Sequence, residues 1–145
     1  MLPTYYDGMH LPEGDHLATW DDVIERFSGT DRRRAFCGRL RAILLRAKRC
    51  GFLRVYVFGS FVSAKDEPGD VDLLWVYEEG LNIDSLDRDC RDLLNYETMK
   101  QREGWDMFCC SNNGFVINYL TEAWRKSRPP ESRPRGVIII ELVAL

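Results

Sequence analysis

The stretch from Val55 to Tyr77 constrains the fold more than any other part of the chain. Two short apolar runs, rich in β-branched and aromatic residues, enclose a polar segment that begins with Gly59-Ser60 and ends with Asp70-Val71-Asp72. Such runs predict two buried strands, the first from Leu53 to Phe58. Because alternate residues of a strand share a face, Asp70 and Asp72 point the same way while their apolar neighbours pack into the core.

The paired carboxylates indicate a metal site. Two carboxylates side by side on a mostly apolar strand repel each other and lose solvation, so a positive charge between them is expected. A hard divalent cation with oxygen ligands, above all Mg²⁺, is the natural candidate. Gly59 lets a bulky ligand approach the backbone, and Ser60 adds a hydroxyl ahead of a turn whose N–H groups can bind phosphate. The alternative is a loop whose two acids are solvated at the start of a strand.

The spacing of these residues resembles a known signature. Gly59-Ser60, nine further residues and then Asp70-Val71-Asp72-Leu73 are similar to the Gly-Ser…Asp-x-Asp motif of the DNA polymerase β-like nucleotidyltransferases. The chain is similar in particular to the minimal nucleotidyltransferases of prokaryotes, some of which act as antitoxins. Leu11-Pro12-Glu13-Gly14 and Gly136-Val137-Ile138-Ile139 also match the layout of short prokaryotic nucleotidyltransferase-like proteins. The resemblance implies an α/β (α+β) nucleotidyltransferase fold, with a small mixed, twisted sheet and helices packed mainly on one face.

Asp106 is the second informative position. It lies in the run from Trp105 to Cys110, which predicts a third strand. The resemblance implies a third carboxylate on a strand beside the Asp-x-Asp strand, and Asp106 is the candidate by position. It would bind the metal nearest the attacking hydroxyl or act as the general base for that hydroxyl. The alternative is an aspartate at a strand edge that pairs with an arginine.

The resemblance implies a Mg²⁺-dependent transfer of a nucleoside monophosphate from a nucleoside triphosphate, with ATP the expected donor. The acceptor would be a hydroxyl of a protein or of RNA, and the protein would act as the antitoxin of a toxin–antitoxin pair. Gly59 and Ser60 would bind the triphosphate, and Lys65 would either reach it or remain a solvated loop residue. Two Mg²⁺ ions would be held by the three aspartates, Asp70, Asp72 and Asp106.

Two other functions fit the same sequence. The chain would be a binding module that masks a partner protein such as a toxin, with catalysis weak or absent, or a domain that senses a nucleotide without turnover. Asp106 discriminates between the first of these and an enzyme. Convergence of the three carboxylates favours the enzyme, whereas an Asp106 that points away or forms a salt bridge favours the module.

The remaining pattern predicts a single domain over residues 1–145, with helices around the sheet. Residues 1–18 are predicted to form an irregular arm, and residues 127–136, rich in Pro and Arg, a mobile linker. That linker leads to an apolar strand, which should join the sheet because an unpaired apolar strand is exposed to aggregation. The predicted helices and terminal strand are a short helix capped by Thr19 and Asp22, a long helix from an Asp31 N-cap to Cys50, helices at Ser85–Arg102 and Phe115–Lys126, and a strand at Val137–Val143.

Charge is unevenly distributed along this chain of net charge −3. Residues 31–54 contain nine Lys or Arg and one acid, whereas residues 66–106 contain thirteen Asp or Glu and four Lys or Arg. The long helix therefore has an arginine-rich face, which is either solvated or a patch for nucleic acid or an acidic partner. Its members are Arg32, Arg33, Arg39, Arg46 and Arg49.

The cysteines and the absence of targeting signals point to the cytoplasm. The five cysteines are odd in number, include no Cys-x-x-Cys motif and, apart from Cys110, fall at predicted core positions. We therefore expect reduced, mostly buried thiols. A zinc site is not expected, because His10 and His16 lie far from any cysteine in sequence. No signal peptide or membrane-spanning run is expected, and the oligomeric state is left open.

Overall fold

The structure, a computed structural model, describes all 145 residues and has an α+β architecture. None of its helices combines the length and the apolar composition needed to cross a membrane. The five strands are β1 (Asp15–Leu17), β2 (Arg54–Phe58), β3 (Asp72–Tyr77), β4 (Met107–Ser111) and β5 (Val137–Glu141). The five α-helices are α1 (Trp20–Phe27), α2 (Asp31–Arg49), α3 (Arg88–Leu93), α4 (Tyr96–Glu103) and α5 (Gly114–Thr121).

The strands form one open, mixed sheet in the order β1-β5-β2-β3-β4. The outer pairs β1–β5 and β3–β4 are parallel, and the inner pairs β5–β2 and β2–β3 are antiparallel. Val57 of β2 is paired with Leu73 on one side and with Ile138 on the other. The prediction that the C-terminal strand joins the sheet is confirmed, and β5 takes an interior position there.

Alternation along the strands divides the side chains between two buried faces. Helices α1 to α4 pack on the larger face, where the strands contribute Val55, Val57, Leu73, Trp75, Met107, Ile138 and Ile140. Helix α5 and Trp124 cover part of the opposite face, which buries Tyr56, Phe58, Leu74, Val76, Cys110 and Val137. Both faces of β2 and β3 are therefore covered. The residues of the site follow the end of β2 and lie at the start of β3.

Side-chain caps begin the first two helices. In α1, Thr19 and Asp22 form the predicted capping box, each side chain accepting the other residue's backbone N–H. In α2, the N-cap is Thr30 and not Asp31, because the Thr30 hydroxyl accepts the N–H of Arg33. The apolar face of α2 is buried, and it consists of Phe36, Leu40, Ile43, Leu44 and Ala47.

Arg33 departs most clearly from its predicted place on the polar face of α2. It is only 5% exposed, and its guanidinium donates hydrogen bonds to the carbonyl oxygens of Phe27, Phe61, Ser63 and Lys65. The loop that follows β2 crosses the first turn of α2 at this point. Arg33 therefore fixes the backbone of the loop that carries Ser60 and Lys65.

Some predicted boundaries are wrong for local reasons. The single helix predicted at Ser85–Arg102 is two helices, α3 and α4, because the Asn95 side chain accepts the N–H of Thr98 and starts a new helix. The predicted irregular arm contains β1, which pairs with β5. The helix predicted at Phe115–Lys126 ends at Thr121 and continues as a 3₁₀ turn.

The cysteines are not all reduced. Cys50 at the end of α2 and Cys90 in α3 form a disulfide across 40 residues of sequence, which corrects the expectation of five free thiols. Cys37, Cys109 and Cys110 are free, and Cys110 is buried although the sequence did not place it in the core. Nothing in the sequence spacing indicates that the end of α2 meets α3, so the pairing follows only from the packing.

Candidate active site

A polar cleft of about 410 Å³ opens at the end of the sheet where β2 stops and β3 and β4 begin. No hydrophobic residue lines it. The structure brings together in this cleft every residue for which the sequence predicted a site role. These residues are Gly59, Ser60, Lys65, Asp70, Asp72 and Asp106, and they are joined by Gly69, Arg128 and Arg135.

The three aspartates converge as the strand order requires. Asp72 opens β3 and Asp70 precedes it by two residues, so both point to one side. Leu73 is paired with Met107 in the parallel neighbour, which places Asp106 alongside Asp72. One carboxylate oxygen from each of Asp70, Asp72 and Asp106 lies within 4.8 Å of the other two. This spacing suits oxygen ligands of shared divalent cations.

Gly59 makes room for one of these carboxylates. It has a φ of +82°, a conformation that residues with a Cβ rarely adopt. A Cβ built at this position would overlap Oδ2 of Asp72. The sequence suggested that Gly59 serves the approach of a ligand, whereas the structure shows that it first accommodates the side chain of Asp72.

The electrostatic environment shifts the pKa values of Asp72 and Asp106 in opposite directions. Burial, together with the charges of Asp70 and Asp106, raises the pKa of Asp72 to about 7. Burial acts in the same direction on Asp106, but hydrogen bonds from Tyr96 and Lys100 outweigh it and lower the pKa of Asp106. The cleft therefore holds one carboxylate that resists ionisation and one that favours it, and added positive charge would stabilise both as anions.

Helix α4 holds Asp106 through two side chains that the sequence did not indicate. The Tyr96 hydroxyl donates to Oδ1 of Asp106 at 2.6 Å, and Lys100 Nζ lies 3.0 Å from the same oxygen. The alternative predicted for Asp106 was a pairing with an arginine, and the actual partner is a lysine. Asp106 therefore meets both parts of the discriminating test, since it converges with the other aspartates and also forms a salt bridge.

Two arginines of the predicted linker, Arg128 and Arg135, also line the cleft. Arg135 donates to the carbonyl oxygen of Trp124; burial lowers its pKa, and the charge of Asp72 opposes that shift. Neither arginine, nor Lys65, has an acidic side chain within 4.0 Å. The high arginine content of residues 127–136 was the only signal in the sequence for these two side chains. Their position in the cleft depends on how this segment folds back over the end of the sheet.

The fold and the cleft define an α+β protein whose mixed sheet ends in a group of carboxylates faced by unpaired cations. The chain belongs to DUF6932, a family of unknown function, whose model matches residues 3–141 and so includes the entire cleft. No curated protein and no solved structure matches the chain.

Proposed function

We propose that the cleft transfers a nucleoside monophosphate from a nucleoside triphosphate to a hydroxyl acceptor, with Mg²⁺ as cofactor and a nucleotidyltransferase fold as scaffold. The convergence of Asp70, Asp72 and Asp106, in a cleft that Arg128 and Arg135 also line, is the observation that carries the proposal. Such a cleft offers oxygen ligands to hard cations and fixed positive charges to phosphates.

The residues present fit two Mg²⁺ ions. The carboxylate oxygens are close enough to share cations, and burial, with the charges of Asp70 and Asp106 added to it, raises the pKa of Asp72, so that a bound cation would favour its ionised form. Asp70 and Asp72 would hold both ions, and Asp106 would complete the site on the acceptor side. When bound, the ions would neutralise charge on the triphosphate and stabilise the attacking and leaving oxygens.

The other cleft residues bind and orient the triphosphate, for which we propose ATP. The turn at Gly59 and Ser60 lies against the carboxylates and offers a hydroxyl. Lys65 and Arg135 supply positive charge without competing acidic partners. In the reaction, the acceptor oxygen forms a bond to the α-phosphorus, and the bond from that phosphorus to the β-phosphate bridging oxygen breaks. Pyrophosphate leaves with the electron pair.

By its position beside Asp72, Asp106 would take the proton of the attacking hydroxyl. The hydrogen bonds from Tyr96 and Lys100 keep it ionised and fix its orientation. The acceptor hydroxyl belongs to a protein or to RNA. If it belongs to a toxin protein, the enzyme would act as an antitoxin by modifying that protein.

A second candidate, a binding module with weak or no catalysis, is favoured by the ion pair between Lys100 and Asp106. The ammonium group of Lys100 already neutralises this carboxylate and competes with a metal ion for its Oδ1. The module would then mask a partner protein such as a toxin, and the acidic cleft would serve recognition.

The test is incubation with each α-³²P-labelled nucleoside triphosphate and Mg²⁺, with total RNA or a cell lysate as acceptor. An Asp70→Asn/Asp72→Asn variant removes the proposed metal ligands with little change in volume, and Arg88→Ala, which alters an exposed residue outside the cleft, is the matched control. We expect the wild type and Arg88→Ala to transfer the label and the double variant to lose this activity. If the folded protein transfers label from none of the nucleotides, the proposal of a nucleotidyltransferase is overturned and the binding module is favoured.

A further inference from the structure

A second cleft, of about 330 Å³, is lined by two of the same carboxylates, Asp72 and Asp106. It shares Asp72, Asp106, Arg128 and Arg135 with the polar cleft. Its remaining lining differs in kind, because it includes the aromatic side chains of Phe58, Phe108 and Trp124. These two carboxylates therefore border both a wholly polar space and a partly aromatic one.

The aromatic side chains form a continuous surface that leads to the carboxylates. Trp124 stacks on the buried Phe58 with ring centres 3.7 Å apart, and Phe108 lies 5.3 Å from Trp124. Phe108 in turn stacks on Tyr96, whose hydroxyl is bound to Asp106. Phe108 and Trp124 are only partly buried, so a planar group entering this cleft would meet aromatic carbon.

The aromatic surface is bordered by a basic segment in which two of the cations, Arg125 and Arg133, already pair with Asp15 and Asp7. Residues 125–135 contain five Lys or Arg and one acid. Lys126 and Arg128, which line the aromatic cleft, are exposed and have no acidic partner within 4.0 Å. Arg128 also borders a third cleft, together with His10 and Arg133. One basic segment thus connects the carboxylates to a path along the protein surface.

We infer that the aromatic cleft binds the 3′ end of a single-stranded RNA. Unpaired bases stack on aromatic side chains, and the backbone follows cationic residues that contact phosphates. Trp124 and Phe108 meet the first requirement, and Lys126 and Arg128 meet the second. A duplex is excluded from this mode because its bases are already stacked.

The inference rests on the proposed function for its chemical consequence, namely that RNA rather than protein carries the acceptor hydroxyl. The binding itself needs neither nucleotide nor metal. It is therefore measured by fluorescence anisotropy of a labelled single-stranded RNA in EDTA, with duplex RNA as competitor. A failed transfer assay leaves this measurement intact, so the failure of one proposal is distinguishable from the failure of the other.

The electrostatic arm of the test uses Lys126→Ala/Arg128→Ala. Because each phosphate contact contributes about −0.7 to the slope of log affinity against log salt for a single strand, we expect the slope of this variant to be shallower by about 1.4. The control is Arg88→Ala/Arg91→Ala, which removes two exposed arginines of α3 that line none of these clefts. An equal loss of RNA affinity in both double variants would show that Lys126 and Arg128 do not form a specific path for the RNA backbone, and it would overturn the inference.

The stacking arm uses Trp124→Leu, with Trp124→Phe to retain a ring and Phe115→Leu as the exposed aromatic control outside the cleft. Stacking of one base predicts a loss of at least about fivefold for Trp124→Leu, with recovery in Trp124→Phe. Thermal melting shows whether each variant is folded. Unchanged RNA affinity together with weaker ATP binding in Trp124→Leu would assign the aromatic surface to the base of the nucleotide instead and overturn the inference.

Discussion

Lys100 Nζ lies 3.0 Å from Oδ1 of Asp106, on the oxygen that already accepts the Tyr96 hydroxyl. Lys100 and Tyr96 are four residues apart on α4 and so share one face of that helix. Neither contact uses Oδ2 of Asp106. Helix α4 therefore sets the direction of a carboxylate that belongs to the sheet.

The two contacts should have opposite effects on metal affinity. Tyr96→Phe removes a neutral hydrogen bond that orients the ligand, and such losses weaken metal binding by about tenfold or more. Lys100→Met removes a positive charge beside the proposed metal and should tighten binding. Titration with Mn²⁺, followed by electron paramagnetic resonance, measures both. A change in the same direction in the two variants would contradict the assigned roles.

The stability of the metal-free protein should fall as the pH rises through the range in which Asp72 ionises. Its pKa is raised from 3.8 when the chain is unfolded to about 7 in the folded protein. Between these values the folded state binds more protons than the unfolded state, so the free energy of unfolding decreases with pH. Asp72→Asn should remove this dependence and stabilise the protein at pH 8 by about 2 kcal/mol, allowing for partial exposure.

Denaturant unfolding in EDTA at several pH values measures this effect. Addition of Mg²⁺ at pH 8 should stabilise the wild type but have a smaller effect on Asp72→Asn. A variant with the same pH profile as the wild type would show that Asp72 is not the titrating group.

Gly59→Ala should disrupt the site more than it disrupts the fold. The new Cβ would displace the carboxylate of Asp72 and would also occupy a positive-φ conformation. Gly80→Ala is the matched control, because Gly80 has a similar φ of +89° with open space around it. We expect each substitution to cost about 1–2 kcal/mol of stability from backbone strain, while only Gly59→Ala loses metal affinity and transfer. Equal metal affinity in the two variants would contradict this.

Arg33→Lys should destabilise the protein although it keeps the charge. A lysine cannot reproduce the planar set of donors that binds the carbonyl groups of Phe61, Ser63 and Lys65, so buried acceptors lose their partners. The expected loss is about 3 kcal/mol in the free energy of unfolding. Arg34→Lys, at the exposed neighbouring position, should be close to neutral. A similar effect of both changes in a denaturant titration would be inconsistent with the role given to Arg33.

Strand geometry accounts for only part of the site that the sequence predicted, since Gly59, Ser60 and Lys65 lie in the loop after β2. Asp70 and Asp72 share a face because of the period of two, whereas the place of Asp106 beside them was implied by the resemblance to the nucleotidyltransferases. Arg128, Arg135 and Lys100 could not be placed in this way. Their positions depend on how a loop and a helix pack against the end of the sheet, which has no periodic signal.

Helical periodicity misplaced Arg33 for a related reason. A period of 3.6 identifies the face away from the core, but it does not reveal that a loop lies on that face. The pairing of Cys50 with Cys90 is a similar case, since the contact between α2 and α3 is a tertiary one. Strands β2 to β5 were predicted because their apolar runs are short, continuous and bounded by turns, whereas β1, three residues long and without such a run, was missed.

The position of β5 determines when the site can be completed as the chain is synthesised. This strand separates β1 from β2 in the sheet, although β1 lies near the start of the chain and β5 near residue 140. A nascent chain that has passed Ser111 already contains all three aspartates. Arg135 comes two residues before β5, so its guanidinium is placed only when that strand inserts. The three aspartates, Lys65 and Lys100 are therefore translated before β5, and the two arginines of the cleft, Arg128 and Arg135, come with the segment that leads into this strand.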